Sequence, residues 1–288
     1  MTLPNVKEYI IHSLENLYGK EESLAIANSL LSHILSASVL QSFDNIAPSN
    51  IAQNDLLKIE AVVKRLVKSE PLQYVLEEAW FYDVPFYVNK YVLIPRSETE
   101  ELVDYVLKSH PRIESKSDLF ILDIGTGSGC IPVTLKNNLP YARVYGLDVS
   151  EEALKVANKN AQKLNIDVTF IQADILNDEL AALPDFDIII SNPPYITETE
   201  KNEMHSNVIA HEPHLALFVS DGNPLQFYEA IVKVAGKNLK KGGYLYFEIN
   251  SAFGSEVKKT MEKNGFSKVA ITKDMQGKDR IVAGLKHR

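Results

Sequence analysis

After Pro95 the chain alternates between short apolar runs and amphipathic segments, and this alternation restricts the possible folds more than any other feature. Short apolar runs predict strands, and segments with apolar residues three and four positions apart predict helices. The predicted strands are residues 119–124, 142–147, 168–173, 186–191, 243–249 and 280–284, and the predicted helices are residues 98–109, 131–137, 151–164, 224–238 and 254–264. Repeated β-α units predict an α/β fold with a doubly wound, mostly parallel sheet and helices on both faces.

The N-terminal part of the chain has a different, helical character. Apolar residues recur at helical spacing from Ile10 to Leu17 and from Ile26 to Leu35. Residues 55–67 predict a further amphipathic helix, which would end before Pro71 because proline interrupts a helix. We therefore expect a small N-terminal helical domain over residues 1–75.

The segment after this helical domain is rich in aromatic and β-branched residues. Such residues favour strands, and Asn89-Lys90 is a predicted turn within the segment. We therefore expect residues 76–95 to form a β-hairpin linker and residues 96–288 to form the α/β domain.

The composition argues against several classes of protein. A net charge of −8 leaves no clustered excess of Lys and Arg for wrapping duplex nucleic acid. Cys130 is the only cysteine, so neither an intramolecular disulfide nor a thiolate metal cluster can form. The sequence shows neither a signal peptide nor an uncharged apolar run that is long enough to cross a membrane. We therefore expect a cytoplasmic protein without a metal site.

A glycine loop follows the first predicted strand of the α/β region. The strand carries Asp123 near its end and leads into Gly125-Thr126-Gly127-Ser128-Gly129, where glycines permit a sharp turn and close approach of a ligand. The Gly-x-Gly-x-Gly spacing differs from the dinucleotide fingerprint, which has two residues before its third glycine. S-adenosylmethionine carries an ammonium and a sulfonium group but no pyrophosphate, so a neighbouring carboxylate suits it. The alternative is a simple tight turn.

Two further acids end the next two predicted strands. Asp148 lies about twenty residues beyond the glycine loop, at the position from which a carboxylate can accept hydrogen bonds from both hydroxyls of a ribose. Asp174 ends the following strand, where a polar side chain can meet the amino group of an adenine. The structural alternatives are a helix N-cap for Asp148, with Ser150 nearby, and a loop cap for Asp174.

The segment Asn192-Pro193-Pro194-Tyr195 directly follows another predicted strand. Neither proline can donate to a β-ladder, so the chain must leave the sheet here, at the strand end where open α/β sheets bind their ligands. A side-chain amide, two rigid backbone units and an aromatic ring suit a planar amine or amide substrate. The alternative is an ordinary turn, because Asn-Pro and Pro-Pro are common in loops.

Together these residues resemble a class I S-adenosylmethionine-dependent methyltransferase with a seven-stranded sheet, and Asn-Pro-Pro-Tyr is similar to the motif of enzymes that methylate planar nitrogen. Two families share this motif: the adenine exocyclic-amine DNA methyltransferases and the HemK/PrmC family of protein-(glutamine-N5) methyltransferases. Further segments resemble only the HemK/PrmC family, namely residues 70–76, 80–82, 93–100, 212–213, 216–217, 221–222, 242–249, 274 and 278–280. Ser97, Glu77 and Asn250 depart from the family pattern, which has proline, glycine and glycine there.

The resemblance implies methyl transfer from S-adenosylmethionine to the side-chain nitrogen of the Gln in the Gly-Gly-Gln motif of class I peptide chain release factors, with S-adenosylhomocysteine as product. It implies that the Asn192 side-chain oxygen and the Pro193 carbonyl accept the two N–H groups of the substrate amide, and that Tyr195 packs on the amide plane. Arg96 would help to close the site, unless it is only a surface residue, and the N-terminal helices would dock the release factor.

The resemblance also implies two sets of contact residues. The cofactor contacts are Asp123, Ile124, Gly125, Thr126, Gly127, Asp148, Asp174, Ile175 and Asn192. The substrate contacts are Asn192, Pro193, Pro194, Tyr195 and Arg96, with Asn192, Pro193 and Tyr195 as the catalytic group.

Two rival functions make different demands on the sequence. Adenine methylation of nucleic acid would need a basic cleft and a target-recognition segment, and neither is evident. A protein that only binds a partner or cofactor would be expected to have lost Asn192 or the glycine loop, yet both are intact. We therefore expect a monomeric enzyme that binds no nucleic acid directly.

Overall fold

The computed structural model describes residues 1–35, 50–109, 118–177, 180, 183–203 and 206–287. These residues form two compact units. One unit is Met1–Glu78 together with the short helix Ser206–His211, and the other contains the remaining described residues from Ala79 to His287. The domain boundaries expected after residues 75 and 95 stay predictions.

The N-terminal unit consists of helices that bury their apolar faces against one another. They are α1 (Leu3–Tyr18), α2 (Lys20–Ile34), α3 (Gln53–Leu66) and α4 (Leu72–Leu76). Ile10, Leu14 and Leu30 are fully buried in one core, whereas Leu17 is 48% exposed although it fits the helical spacing. The prediction of a helical N-terminal region is confirmed, and residues 36–49 of the predicted domain lie outside the described residues.

A β-hairpin follows these helices in the chain. Its strands are β1 (Glu78–Phe81) and β2 (Val84–Tyr87). The two residues between them, Tyr82 and Asp83, have φ values of 52° and 59°. Two successive positive φ values are typical of the type I′ loop, whose twist matches that of the flanking strands. The hairpin is confirmed, with its tight loop inside the aromatic run. The turn predicted at Asn89-Lys90 is also present, beyond the hairpin, where the Val92 N–H donates to the Asn89 carbonyl at 3.1 Å.

The larger unit contains a seven-stranded sheet and a separate pair of short strands. The seven strands are β3 (Phe120–Ile124), β4 (Arg143–Asp148), β5 (Thr169–Gln172), β6 (Phe186–Ser191), β9 (Leu239–Glu248), β10 (Phe266–Lys273) and β11 (Asp279–Lys286), and the separate pair is β7 (Ile196–Thr197) and β8 (Phe218–Val219). The order in the large sheet is β10-β11-β9-β6-β3-β4-β5. Strand β11 pairs antiparallel with both neighbours, and the other pairs are parallel. The predicted mostly parallel, seven-stranded sheet is confirmed.

Strand β10 is the one strand of the large sheet that the apolar pattern does not predict. It lies at the edge of the sheet, and its sequence contains Lys268 and Lys273 instead of a continuous apolar run. Charged residues on an edge strand discourage pairing with other chains, so such strands carry a weaker apolar signal than central ones.

Helices cover both faces of the large sheet. The larger unit contains α5 (Ser97–Ser109), α6 (Cys130–Asn138), α7 (Glu151–Leu164), α9 (His214–Leu217), α10 (Gln226–Asn238) and α11 (Gly254–Lys263), and α8 is the helix Ser206–His211 of the other unit. Along β6, Ile188 and Ile190 belong to one apolar cluster and Ile189 to another, because successive side chains of a strand point to opposite faces. Among the described helices, none combines the length and apolar character needed to cross a bilayer.

The strand order reverses next to β3. The chain runs from β3 outward through β4 and β5, and then returns to place β6 on the other side of β3. In open α/β sheets such a reversal leaves a crevice beyond the carboxyl ends of the strands, and ligands bind there. The loops after β3, β4 and β6 are therefore the expected position of a ligand site.

Candidate active site

The loops that follow β3 and β6 lie side by side. The Ser191 hydroxyl donates to the Ile124 carbonyl oxygen at 2.6 Å and joins the ends of the two strands. A Cβ atom built on Gly125 would lie 4.0 Å from the backbone oxygen of Asn192. The glycine turn and the Asn-Pro-Pro-Tyr segment therefore border the same crevice.

The glycine turn is fixed to the neighbouring strand β4. Gly125 and Gly127 have φ values of 77° and 53°, a left-handed conformation in which other residues are strained. The backbone N–H groups of Gly125 and Thr126 both donate to the Leu147 carbonyl, at 2.8 and 2.9 Å. The turn therefore presents bare backbone toward the crevice in one defined position.

Asp148, at the end of β4, is held by the backbone on both sides. Its Oδ2 accepts from the Gly127 N–H at 2.8 Å, and its Oδ1 accepts from the Ser150 N–H at 2.9 Å. The N-cap of α7 is Ser150, whose hydroxyl accepts from the Ala153 N–H, so capping does not explain Asp148. Burial raises the pKa of Asp148, and these backbone N–H groups offset part of the rise.

Asp123 is a fully buried acid that has no hydrogen bond of regular geometry among the described residues. Neither of its carboxyl oxygens, nor the hydroxyl of Thr126, forms a hydrogen bond of regular geometry. Burial raises the pKa of Asp123 to about 7, the nearby Thr126 hydroxyl offsets part of this rise, and the charge of Asp148 adds to it. An unpaired buried acid destabilises a fold, so we expect Asp123 to serve a ligand.

We expect Asp123→Asn to stabilise the ligand-free protein. The folded-state pKa of Asp123, about 7, lies above the ordinary 3.8. The ionised side chain therefore lowers the free energy of unfolding fully above about pH 7, and this destabilisation decreases as the pH falls toward 3.8. At pH 8 the free energy of unfolding should rise by up to about 4 kcal/mol. Thermal unfolding of both proteins at pH 8 and pH 5 tests this. Equal midpoints at pH 8, or a gain that is the same at both pH values, would contradict it.

A cavity of about 190 Å³ opens between these loops. Nine of the predicted site residues line it: Ile124, Gly125, Gly127, Asp148, Asp174, Ile175, Asn192, Pro193 and Pro194. Asp123, Thr126, Tyr195 and Arg96, also predicted, are not among its lining residues. Asp174 accepts from the Leu176 N–H and the Asn177 side chain, and so also acts as the loop cap that was the alternative for it.

Several residues of the cavity wall were not predicted from the sequence. Most are apolar: Tyr91, Val92, Leu93, Leu147, Val149, Ala153, Ala173, Pro213, Leu215, Ala216, Phe227 and Ile231, together with Ser150 and Ser191. Leu93, Pro213 and Ala216 lie in the segments that carry the family resemblance, which is the signal that could have identified them. Phe227 and Ile231 lie on α10, where an apolar face ordinarily indicates only packing.

A buried hydrogen-bond network lies behind Asn192. The Asn192 Nδ2 donates to the Thr99 Oγ1 at 3.0 Å, and the Thr99 hydroxyl donates to the Glu248 Oε2 at 2.7 Å. The Tyr195 hydroxyl donates to the other oxygen, Oε1, at 3.1 Å. Thr99 and Glu248 are 3% and 1% exposed, and burial raises the pKa of Glu248 to about 6. The network joins helix α5, strand β9 and the loop after β6.

Tyr195 is fixed by contacts of its hydroxyl and of its ring. Its hydroxyl binds Glu248, its ring packs against the apolar cluster beneath the sheet, and burial raises its pKa well above the ordinary value. Asn250, one of the departures from the family pattern, donates to the Tyr195 carbonyl at 3.3 Å and to the Glu200 carboxylate. This departure therefore contacts the backbone of the Asn-Pro-Pro-Tyr segment.

Arg96 forms an ion pair with Glu212, whose side chain is almost completely buried. The second oxygen of Glu212 accepts from the Ile94 N–H at 3.3 Å. Glu212 precedes Pro213 and Leu215, which line the cavity, and Leu93 lines it from the other segment. The pair thus connects two segments of the cavity wall, and Arg96 is more than an isolated surface residue.

Comparison with known proteins places this site in context. A family model described as a methyltransferase domain matches residues 115–283. Two proteins named release factor glutamine methyltransferase are similar to this chain: that of Flavobacterium psychrophilum is 43% identical over 98% of this chain and 98% of its own length, and that of Bacteroides thetaiotaomicron is 43% identical over 96% of this chain and 98% of its own length. The crystal structure of a methyltransferase from Pyrococcus furiosus matches with a TM-score of 0.53 at 17% identity and covers 82% of this chain and 100% of its own, a likeness of fold alone.

Proposed function

Because the chain belongs to the family of release factor glutamine methyltransferases, we propose that it transfers a methyl group from S-adenosylmethionine to the side-chain amide nitrogen of the Gln in the Gly-Gly-Gln motif of class I peptide chain release factors. One observation of the geometry supports this most: Asn192 and the glycine turn line one cavity. A methyl donor at the turn and an amide at Asn192 would then be neighbours.

The residues of the cavity fit S-adenosylmethionine. Asp148 lines the cavity with a carboxylate that retains lone pairs for the two ribose hydroxyls. Asp123 lies buried beside the lining residue Ile124, and its carboxylate would supply the negative charge that an ammonium group needs. Apolar residues such as Ile175, Val149 and Phe227 suit the faces of an adenine ring. When bound, S-adenosylmethionine supplies an electrophilic methyl group and leaves as S-adenosylhomocysteine.

The Asn192 side chain is placed to accept a hydrogen bond from a substrate. Its nitrogen is engaged by Thr99, so its Oδ1 is the group left for a substrate N–H. The Pro193 carbonyl belongs to a backbone unit with little freedom to relax, and would accept the second N–H. Together these oxygens would hold the amide nitrogen toward the donor.

This arrangement addresses the low reactivity of an amide. The nitrogen lone pair of an amide is delocalised into its carbonyl, so the nitrogen attacks carbon only when it is well oriented. Positioning of reactants supplies up to about 7–11 kcal/mol of a barrier, and acceptor oxygens stabilise the positive charge that grows on the nitrogen. As the new N–C bond forms and the S–C bond breaks, one amide proton is released to water.

Other parts of the chain are assigned by the same proposal. The ion pair between Arg96 and Glu212 would shape the wall that receives the substrate loop, because it joins two segments that line the cavity. The N-terminal helical unit would dock the release factor. The enzyme would act in the cytoplasm as a monomer, without binding nucleic acid directly, in keeping with the net charge of −8.

Methylation with labelled S-adenosylmethionine tests the proposed substrate. We expect label on the Gly-Gly-Gln peptide of a purified release factor, located by mass spectrometry, and none on adenine-containing DNA. A release factor in which this Gln is replaced by Glu is the matched control, because a carboxylate lacks the N–H groups that Asn192 and Pro193 would accept. Label on the DNA, or label on the release factor that survives this replacement, would contradict the proposal.

The affinity for S-adenosylmethionine tests whether Asp123 contacts the cofactor. Asp123→Asn, which should stabilise the ligand-free protein, should at the same time weaken binding of S-adenosylmethionine, because the neutral amide no longer attracts the ammonium group. Isothermal titration calorimetry measures this directly. An unchanged affinity for S-adenosylmethionine would show that Asp123 does not contact the cofactor.

A further inference from the structure

The direction of each hydrogen bond behind Asn192 follows from the chemistry of Glu248. An ionised carboxylate can only accept hydrogen bonds, so both the Thr99 and the Tyr195 hydroxyls must donate to it. Thr99 has a single hydroxyl hydrogen, which it donates in the hydrogen bond to Glu248. Its oxygen can therefore only accept from Asn192, which must turn its Nδ2 toward Thr99.

We infer that Thr99 and Glu248 are positioning residues that hold the Asn192 amide so that its oxygen, and not its nitrogen, faces the substrate. The inference deepens the proposed function and rests on it for the identity of the accepted amide. Tyr195 supports the same arrangement, because its hydroxyl donates to the second carboxylate oxygen of Glu248.

The orientation of the Asn192 amide determines which substrates the site accepts. With the Asn192 oxygen and the Pro193 carbonyl both presented, the site is complementary to a nitrogen that carries two hydrogens. A carboxylate of the same shape would meet two acceptors and be repelled. If Asn192 were free to rotate its amide by a half-turn, its NH₂ group would face the substrate and the site would lose this selectivity.

The carboxylate of Glu248 is surrounded by groups from four neighbouring segments. Arg280 on β11 favours its ionised form, and Glu98 on α5 opposes it. The Thr99 and Tyr195 hydroxyls donate to it, and the Tyr228 hydroxyl of α10 donates to the Glu248 backbone carbonyl. The pKa of Glu248 is about 6, so the carboxylate is mostly ionised at neutral pH and the directions given above hold there.

Protonation of Glu248 would disturb the hydrogen bonds that orient the Asn192 amide. A protonated carboxyl can donate to Thr99, which frees the Thr99 hydroxyl to donate toward Asn192 and permits the reversed amide. We therefore expect the rate at saturating S-adenosylmethionine to fall as the pH is lowered through about 6. Saturation separates this effect from any titration of Asp123, which acts on cofactor binding.

Substitutions of Thr99 test the inference. Thr99→Val keeps the shape but removes the hydroxyl, and should lower kcat by about 10- to 100-fold while the affinity for S-adenosylmethionine stays within about twofold. Thr99→Ser keeps the hydroxyl and should restore most of the rate. Thr134→Val is the matched control, since it removes another buried hydroxyl, on α6, that has no hydrogen-bond partner among the described residues. Its kcat should equal that of the wild type.

Glu248→Gln provides a second variant that does not depend on Thr99 tolerating valine. Its neutral amide no longer forces Thr99 to donate, so kcat should fall and the acidic limb near pH 6 should disappear. The inference is overturned if Thr99→Val retains kcat within about twofold, if Thr99→Ser fails to restore it in a folded protein, or if Glu248→Gln keeps the acidic limb.

The failure of the inference and the failure of the proposed function can be told apart. The variants are compared on the acceptor that the wild-type protein methylates. A wild-type protein that leaves release factors unmodified refutes the proposed substrate. A variant that matches the wild type on the acceptor in use refutes the positioning role.

Discussion

Asn192→Ala is expected to lower the rate of methyl transfer by about 100- to 1,000-fold, the range found when one hydrogen-bonding group is removed from a pre-organised site. The substitution removes the Oδ1 that would accept the substrate N–H and leaves the amide nitrogen free to rotate away from the donor. It also removes the partner of Thr99, whose hydroxyl can still bind Glu248. Single-turnover kinetics at saturating S-adenosylmethionine measure the loss.

The affinity for S-adenosylmethionine is the control for this variant. Asn192 lines the same cavity as Asp148, but its side chain is turned toward Thr99 on α5. Binding of the donor, measured by calorimetry, should therefore survive in large part. If affinity and rate fall by equal factors, Asn192 is mainly a contact of the cofactor, and its role toward the substrate is lost.

Asp148→Ala is expected to weaken the binding of S-adenosylmethionine by about 10- to 1,000-fold. Two charge-assisted hydrogen bonds to the ribose hydroxyls would be lost, each worth about 1.5–3 kcal/mol, and the two are not fully additive. The backbone N–H groups of Gly127 and Ser150 would also lose their acceptor, so the glycine turn would be less well ordered. Calorimetric titration with S-adenosylhomocysteine measures the effect without turnover.

Asp174→Ala is the matched comparison for Asp148. Asp174 also ends a strand and lines the cavity, but its carboxylate is engaged by an exposed loop through Leu176 and Asn177. Its replacement should weaken binding less than that of Asp148. An affinity that is unchanged in Asp148→Ala would exclude the ribose role, and a larger loss for Asp174 than for Asp148 would reverse the assignment of the two acids.

The features that the sequence predicts well are those that depend on short stretches of chain. Central strands such as residues 186–191 are buried on both faces and so appear as apolar runs, and their ends carry the motifs. A glycine spacing and two consecutive prolines impose local backbone conformations that hardly depend on the rest of the fold. For this reason the glycine loop, Asp148 and Asn192 could be predicted as neighbours in one crevice.

The features that were missed depend on the meeting of distant segments. Thr99 and Glu248 are 149 residues apart in the chain. Both lie in segments that carry the family resemblance, residues 93–100 and 242–249, but nothing in either segment indicates that the two side chains meet. Likewise the helix Ser206–His211 belongs to the N-terminal unit although it lies far along the chain from it. No local spacing encodes such a partnership.

The sequence by itself determined the doubly wound sheet, the glycine turn, the acids at the strand ends and the Asn-Pro-Pro-Tyr segment, because each follows from local backbone preference and from the burial of apolar residues. Only the tertiary structure decided that Asp123 is completely buried, that the Tyr195 hydroxyl binds Glu248, and that the Asn192 amide donates to Thr99. The physical reason is that a buried polar group must find a partner in three dimensions. That partner comes from whichever elements the packing of the sheet and helices brings together.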